Sequence, residues 1–285
     1  MAFLGTPEPA AVALRALVGA GHEVAIVVTR VDKRRGRNEA PRPTPVKAAA
    51  LELALPVSER VEDVLDVGAE LGVVVAFGRI IKPDVFTALP LVNVHFSLLP
   101  RWRGAAPVER AILAGDTVTG VCLMDIEEGL DTGPVYRCEK VEIGTEETAA
   151  ELRRRLADLG AAVLLESLRD GLGSPRPQQG EPTYAAKLEP AELYLDWSRP
   201  AVELHRIVRI GRAWTTWRGR RLLVLSARVV PGGRGAAPGA LDGDLVATGE
   251  DHLQLITVQP EGRSALPASE WLRGARPKPG ERIGE

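Results

Sequence analysis

The first 175 residues alternate short apolar runs with stretches of helical periodicity, and that alternation leaves few folds open. AFLG reads as a strand. A helix with Val12, Leu14, Leu17 and Val18 turned inward follows it, and EVAIVVT, set off by a GH stop, is a second strand. The pattern recurs, with TPVKAAALELA as helix, GVVVAFGRI and LVNVHF as strands, PVERAILAG as helix and TGVCLMDIEEG as strand. Strands separated by helices pair in parallel. The expected fold is therefore α/β, a doubly wound Rossmann-like parallel sheet whose ligands sit beyond the carboxyl ends of its strands.

The pattern then changes. After the long helix in GTEETAAELRRRLADLGAAVLLESLRDG, where Thr148 and Glu151 are spaced as a capping box, the chain loosens into LGSPRPQQGEPTY. Beyond it the β-like runs RRLLVLSARVV, GDLVATG and HLQLITVQP are cut by Gly and Pro turns at spacings typical of a small barrel. This predicts an α/β domain over 1–175, a linker over 176–190 and a smaller, OB-like β-barrel domain over 191–285.

Several function classes are disfavoured at once. No GxGxxG follows the first strand, and the two prolines of GTPEPA lack the amide hydrogens that a pyrophosphate would need, which argues against a dinucleotide site. MAFLGTPEPA lacks the basic segment and apolar core of a secretory leader, and GVVVAF is too short to span a bilayer, so a cytoplasmic protein without a membrane partner is expected. Cys122 and Cys138 stand in apolar, strand-like surroundings without CxxC spacing and are read as buried, reduced thiols; four scattered histidines suggest no metal. Charge is uneven. Residues 199–285 hold 14 Lys/Arg against 9 Asp/Glu, a balance of +5, so with −2 overall the first 198 carry −7. A basic C-terminal part hints at an anionic partner, although a solvated basic face gives the same count.

Candidate chemistry gathers in NVHFSLLPRWRGAAP, residues 93 to 107. Asn93 and His95 lie two apart at the end of a strand, which turns both side chains to one face. Downstream, GLDTG brackets Asp131 with glycines that permit close backbone approach to a ligand. Amide, imidazole and carboxylate together suit acyl-type transfer: the first two can stabilise an oxyanion, and the third can sustain a charged imidazole and help accept a proton. None of the three is a nucleophile, so the implied reaction is direct transfer to an amine without a covalent enzyme adduct. Taken singly each has an ordinary explanation: a turn Asn, a core His beside Phe96, a loop Asp.

In this order, AFLGTPEPA, TPVKAAA, VVVAFGRI, NVHFSLLPRWRGAAPVERAI, TGVCLM, GLDTGPV, TYAAKL and LDWS closely resemble the methionyl-tRNA formyltransferases, over both domains and most specifically over 93–134. NxH, then SLLP, then DTG mark the wider group using 10-formyltetrahydrofolate; RWRGAAP and the second domain narrow it. The resemblance implies a formyltransferase-type first domain in which Asn93, His95 and Asp131 are the catalytic trio. It places Ser97, Leu98, Leu99 and Pro100 in a folate-binding stretch, and Arg79, Ile80 and Ile81 where backbone groups hold the pterin. It further implies that Lys33, Arg34, Arg35 and Arg37, in the basic loop RVDKRRGRN, contact the acceptor end of a tRNA. Arg206, Arg209, Arg212, Arg218, Arg220 and Arg221 of the barrel could track its backbone. The implied partners are initiator methionyl-tRNA and the formyl-folate donor, with the chain a monomer. GRAWTTW departs from the NPWPGA-like turn of that family, so Trp214 and Trp217 are read as barrel packing. Rival readings are an amino sugar nucleotide formyltransferase, a non-catalytic RNA-binding protein and a formyltetrahydrofolate hydrolase.

Overall fold

The computed structural model describes residues 1–32, 34, 40–232, 235–278 and 280–285. The chain divides into two units, the first made of 1–108, 117–143 and 151–186, the second of 109–116, 144–150 and 187–285.

The first unit is built on β1 (Ala2–Gly5), α1 (Glu8–Gly19), β2 (Ile26–Val28), α2 (Pro45–Glu52), β3 (Val57–Ser58), β4 (Gly72–Val75), α3 (Pro83–Ala88) and β5 (Leu91–His95). It continues through β6 (Arg103–Gly104), α4 (Pro107–Ala114), β7 (Val118–Asp125), β8 (Val135–Glu142), α5 (Ala149–Asp170) and β9 (Tyr184–Ala185), with α4 and α5 reaching into the second unit's segments. Prolines open α2 and α3 at positions where a missing amide hydrogen costs nothing, and the Thr44 hydroxyl caps α2 by accepting from the Lys47 amide at 3.0 Å. The sheet runs β3-β2-β1-β4-β5-β7-β8. Strands β1 to β5 are parallel, and β1 and β4 are buried along their whole length, as strands covered on both faces must be. In α1 the buried residues are Ala10, Ala11, Ala13, Leu14 and Leu17, with the expected Val12 and Val18 only half-buried; small side chains let this helix lie close to the sheet.

Two features of this unit differ from expectation. Strand β7 runs antiparallel to β5, and β8, not read from the sequence, continues it as an antiparallel hairpin partner. Nine residues and no helix separate β7 from β8, so the chain simply turns back. The hairpin also corrects the reading of the cysteines. Cys122 and Cys138 are directly opposite across β7 and β8, and they are joined in a disulfide, with Cys122 buried and Cys138 exposed. Their separation of 16 residues says nothing of pairing until the register is known.

In the second unit, α6 (Ala201–Ile210) precedes β10 (Trp214–Trp217), β11 (Arg220–Val230), β12 (Leu241–Asp242), β13 (Leu245–Ala247), β14 (His252–Pro260), β15 (Leu266–Pro267) and α7 (Ala268–Ala275). The antiparallel order is β10-β11-β14-β13-β12, with β15 on β14. Register shifts around Ser226 bend the long β11–β14 ribbon over a core of Leu195, Trp197, Leu204, Val224, Leu255 and Val258. Trp217 meets Trp271 edge-on at 5.5 Å and Trp214 meets Tyr194 at 4.8 Å, so both indoles pack within the domain. Among the described residues, no helix is long and apolar enough to cross a membrane.

Candidate functional site

Strand β5 ends at His95, and its alternation sets Asn93 and His95 on one face, opposite Met124 and Cys122 of β7. His95 is 6% exposed. Its Nε2–H donates to the Trp102 carbonyl at 2.9 Å, while Nδ1 faces the Asp131 Oδ2 carboxylate oxygen at 3.6 Å. That separation is longer than a hydrogen bond. Both ring nitrogens therefore look onto acceptor oxygens. The Asn93 side chain is half-buried and makes no hydrogen bond among the described residues, which leaves its amide available to a ligand.

Asp131 is brought to this face from the loop between β7 and β8. Its backbone sits at φ 50, a left-handed conformation that Asp tolerates better than most residues. The carboxylate, 17% exposed, accepts the Gly104 amide at 2.7 Å. Gly104 itself has φ 117, and an added Cβ there would meet the Ala185 carbonyl at 3.0 Å, so glycine is required where β6 passes β9. At Gly133 a Cβ would strike the Asp125 carbonyl, and the base of the same loop is tied by the Tyr136 hydroxyl donating to Asp125 at 2.5 Å. Burial first, and then the Asp125 carboxylate, push the Tyr136 phenol above its ordinary range.

The loop after β5 is shaped from within. Ser97 is fully buried and its hydroxyl donates to the Arg101 carbonyl at 2.5 Å; Leu98, Leu99 and Pro100 are half-buried, with the Leu99–Pro100 peptide cis. At the end of β4, the Arg79 guanidinium donates back to the Glu59 carbonyl at 2.7 Å, Ile81 is buried, and Ile80 is 93% exposed. Among the described residues the backbone groups of Arg79, Ile80 and Ile81 make no hydrogen bond, so they are open to a flat polar-edged ligand. The two stretches follow β4 and β5, which are neighbouring strands of one sheet.

Gln178 carries no signal in the sequence, where PRPQQGEP has only the composition of a loop. Its side-chain amide donates to the carbonyls of Asp131 and Gly133, both at 2.8 Å.

Of the basic residues, Lys33, Arg35 and Arg37 lie outside the described residues, and Arg34 is exposed. In the second unit, burial holds the Arg209 guanidinium below its usual range while it donates to the Glu147 and Gly144 carbonyls at 2.8 and 2.7 Å, and Arg206 lies over Gly115. Arg218 pairs with Glu281 at 2.5 Å and Arg220 with Glu261 at 3.7 Å. Arg221 stacks on Trp214 at 4.8 Å and Arg212 is exposed, so these two carry the freest positive charge of the six.

Residues 1–168 match the formyl transferase family and residues 187–276 the formyl transferase C-terminal domain. A methionyl-tRNA formyltransferase of Symbiobacterium thermophilum is 44% identical over 307 aligned positions, covering 99% of this chain and 94% of that one. Another, of Dinoroseobacter shibae, is 46% identical over 291 positions, covering 96% and 97%. In fold the chain is similar to an N-formyltransferase from Helicobacter canadensis solved with folinic acid and dTDP-3-aminofucose, at a TM-score of 0.71 and 15% identity over 91% of this chain and 98% of that one. With both domains matched and identity sustained from end to end, the chain belongs to the methionyl-tRNA formyltransferase family.

Proposed function

We infer that this chain transfers a formyl group from a folate carrier to the α-amine of methionyl-tRNA, producing formylmethionyl-tRNA. Identity above 40% through both domains to relatives bearing that name supports the reaction. The observation that carries the site is the meeting of Asp131 with His95 at 3.6 Å beside the unpartnered amide of Asn93.

The donor in this reading is 10-formyltetrahydrofolate. Its pterin lies against the backbone of Arg79, Ile80 and Ile81; in the folate-binding stretch Ser97 to Pro100, Leu98, Leu99 and Pro100 line the approach and the buried Ser97 holds the loop from within. The neutral amine attacks the formyl carbon, forming a carbon–nitrogen bond and a tetrahedral oxyanion. The Asn93 amide and the protonated His95 stabilise that oxyanion, and the Asp131 carboxylate sustains the charge on the ring. Collapse breaks the bond from the formyl carbon to the folate nitrogen. The proton released by the attacking amine passes by way of Asp131 to that nitrogen, so tetrahydrofolate leaves neutral there. The initiator tRNA is held by Lys33, Arg34, Arg35 and Arg37 and by exposed barrel cations, Arg212 and Arg221 foremost. The chain works as a monomer in the cytoplasm.

The test is transfer of labelled formyl from 10-formyltetrahydrofolate to methionyl-tRNA, to an amino sugar nucleotide, or to water, run at several ionic strengths. Formylmethionyl-tRNA should form, with KM for the tRNA rising steeply with salt because phosphate contacts release counterions. Formylated sugar in its place, or free formate without an acceptor, would refute this reading.

A further inference from the structure

The segment 176–186 is stitched into the site along its length. Val135 and Arg176 exchange backbone hydrogen bonds at 2.7 and 2.8 Å. The Thr183 hydroxyl and carbonyl accept the amides of Trp102 and Arg103, each at 2.9 Å, and the Ala185 carbonyl accepts those of Ala105 and Ala106 at 2.9 and 3.1 Å. Midway stands Gln178, between the Asp131 loop and Arg103.

We propose that Gln178 is a positioning residue for formyl transfer, its amide holding the backbone of the Asp131 loop where the carboxylate meets His95. The proposal rests on the reading of the site given above. The geometry is complete on both sides of the amide. Nε2 has two hydrogens and gives one to the Asp131 carbonyl and one to the Gly133 carbonyl, at 2.8 Å each. Oε1 has two lone pairs and accepts Nε and Nη2 of Arg103 at 3.0 and 2.7 Å. Turning the amide over would set oxygen against two carbonyls and nitrogen against a guanidinium, so its orientation is determined.

The next residue after Arg103 is Gly104, whose amide binds the Asp131 carboxylate. One dipeptide thus holds Asp131 twice: the carboxylate directly, and the peptide by way of Gln178. A non-glycine residue at φ 50, following the exposed Glu127–Leu130 stretch, has little else to keep it in place. Glutamine is the residue that can do this, because the task needs two donors and two acceptors on one planar group at that reach. A displacement of the carboxylate by about 1 Å is enough to cost on the order of 10²-fold in turnover.

The experiment compares the full chain as wild type, Gln178→Glu, Gln178→Ala, Asp131→Asn and the Asp131→Asn/Gln178→Glu double variant. Gln178→Glu is nearly isosteric and keeps an acceptor for Arg103 but has no hydrogens for the two carbonyls, so it serves even if Gln178→Ala does not fold. We expect kcat for formyl transfer to methionyl-tRNA to fall about 10- to 100-fold in Gln178→Glu, with KM for either substrate changed less than about twofold. In the Asp131→Asn background the same substitution should cost less than about twofold more, because the group it positions is already gone. Equal losses in both backgrounds, or wild-type kcat in Gln178→Glu, would overturn the proposal. Hydrogen–deuterium exchange of the 127–133 peptide reads the clamp without any substrate. It should quicken in Gln178→Glu, and unchanged exchange would also overturn the proposal. If wild type itself fails to formylate methionyl-tRNA, the functional reading is what fails, and the exchange result still decides whether Gln178 holds the loop.

Discussion

Replacing Asp131 by Asn keeps the shape of the side chain and an oxygen for the Gly104 amide at 2.7 Å, but removes the charge 3.6 Å from His95 Nδ1. Two unit charges at that distance attract by roughly 4–5 kcal/mol at an effective dielectric of about 20. The carboxylate is 17% exposed, so solvent and salt weaken this, leaving about 3–4 kcal/mol to keep the ring charged while the oxyanion develops beside it. At 1.36 kcal/mol per factor of ten, kcat for Asp131→Asn should drop about 10²- to 10³-fold. KM should move little, since the lost interaction belongs to the transition state. The assay is steady-state transfer of labelled formyl to methionyl-tRNA at near-neutral pH, with a thermal melt to show that the variant folds. Folded Asp131→Asn with kcat within about threefold of wild type would refute the reasoning, because the carboxylate would then contribute no charge to the step. A rise in KM with kcat unchanged would assign Asp131 to ground-state binding instead.

Asn93→Ala should lose roughly 10²- to 10³-fold in turnover, the scale for one oxyanion donor; near wild-type turnover excludes that role. Burial lowers the pKa of His205 against the opposing pull of Glu146, so in the range just below the unfolded value, about 6.5, the unfolded chain binds a proton that the folded chain does not. Stability from this group is therefore full above that pH and declines as pH falls through it, and denaturant midpoints of His205→Gln should be flatter than wild type between about pH 7.5 and 5. A wild-type slope in that variant would count against the assignment. Reducing the Cys122–Cys138 disulfide, which closes a separation of 16 residues, should lower stability by about 3 kcal/mol on chain-entropy grounds. Urea midpoints with and without dithiothreitol measure it: wild type should shift, Cys138→Ser should not, and an unmoved wild type contradicts the estimate.

What could be read in advance, and what could not, divides by how local the information is. The strand–helix alternation gives β1 and β5 close to their observed bounds, α1 in its place between strands, and the start of β4, which ends five residues sooner than GVVVAFGRI implies; Asn93 and His95 share a face by the two-residue repeat of a single strand. The direction of β7, the presence of β8 and the pairing of Cys122 with Cys138 depend on register between strands, which no single segment encodes. Helices α6 and α7, eight to ten residues long inside a β-rich tail, are too short for their amphipathic pattern to stand out. Six arginines counted alike in the sequence are sorted only by their surroundings: Arg209 spends its hydrogens on the Glu147 and Gly144 carbonyls, whereas Arg221 keeps an exposed charge on Trp214.

The Asp131 loop carries this distinction into the chemistry. The carboxylate has a letter in the sequence, and so can be proposed from GLDTG. The groups that hold it are the Gly104 amide, the Asp131 and Gly133 carbonyls, and one glutamine in a stretch that looks like a spacer. Backbone groups are the same at every position, so their contribution appears only when the chain is laid out and a side chain of matching donor and acceptor count is found between them. The site is thus specified at two levels. Reacting groups are bound to residue type and local spacing, while their placement is bound to the path of the segment 176–186. A substitution in that segment should therefore disturb turnover in proportion to the hydrogen bonds it removes from the Trp102–Gly104 and Asp131–Val135 stretches, whatever its distance along the chain from the reacting side chains.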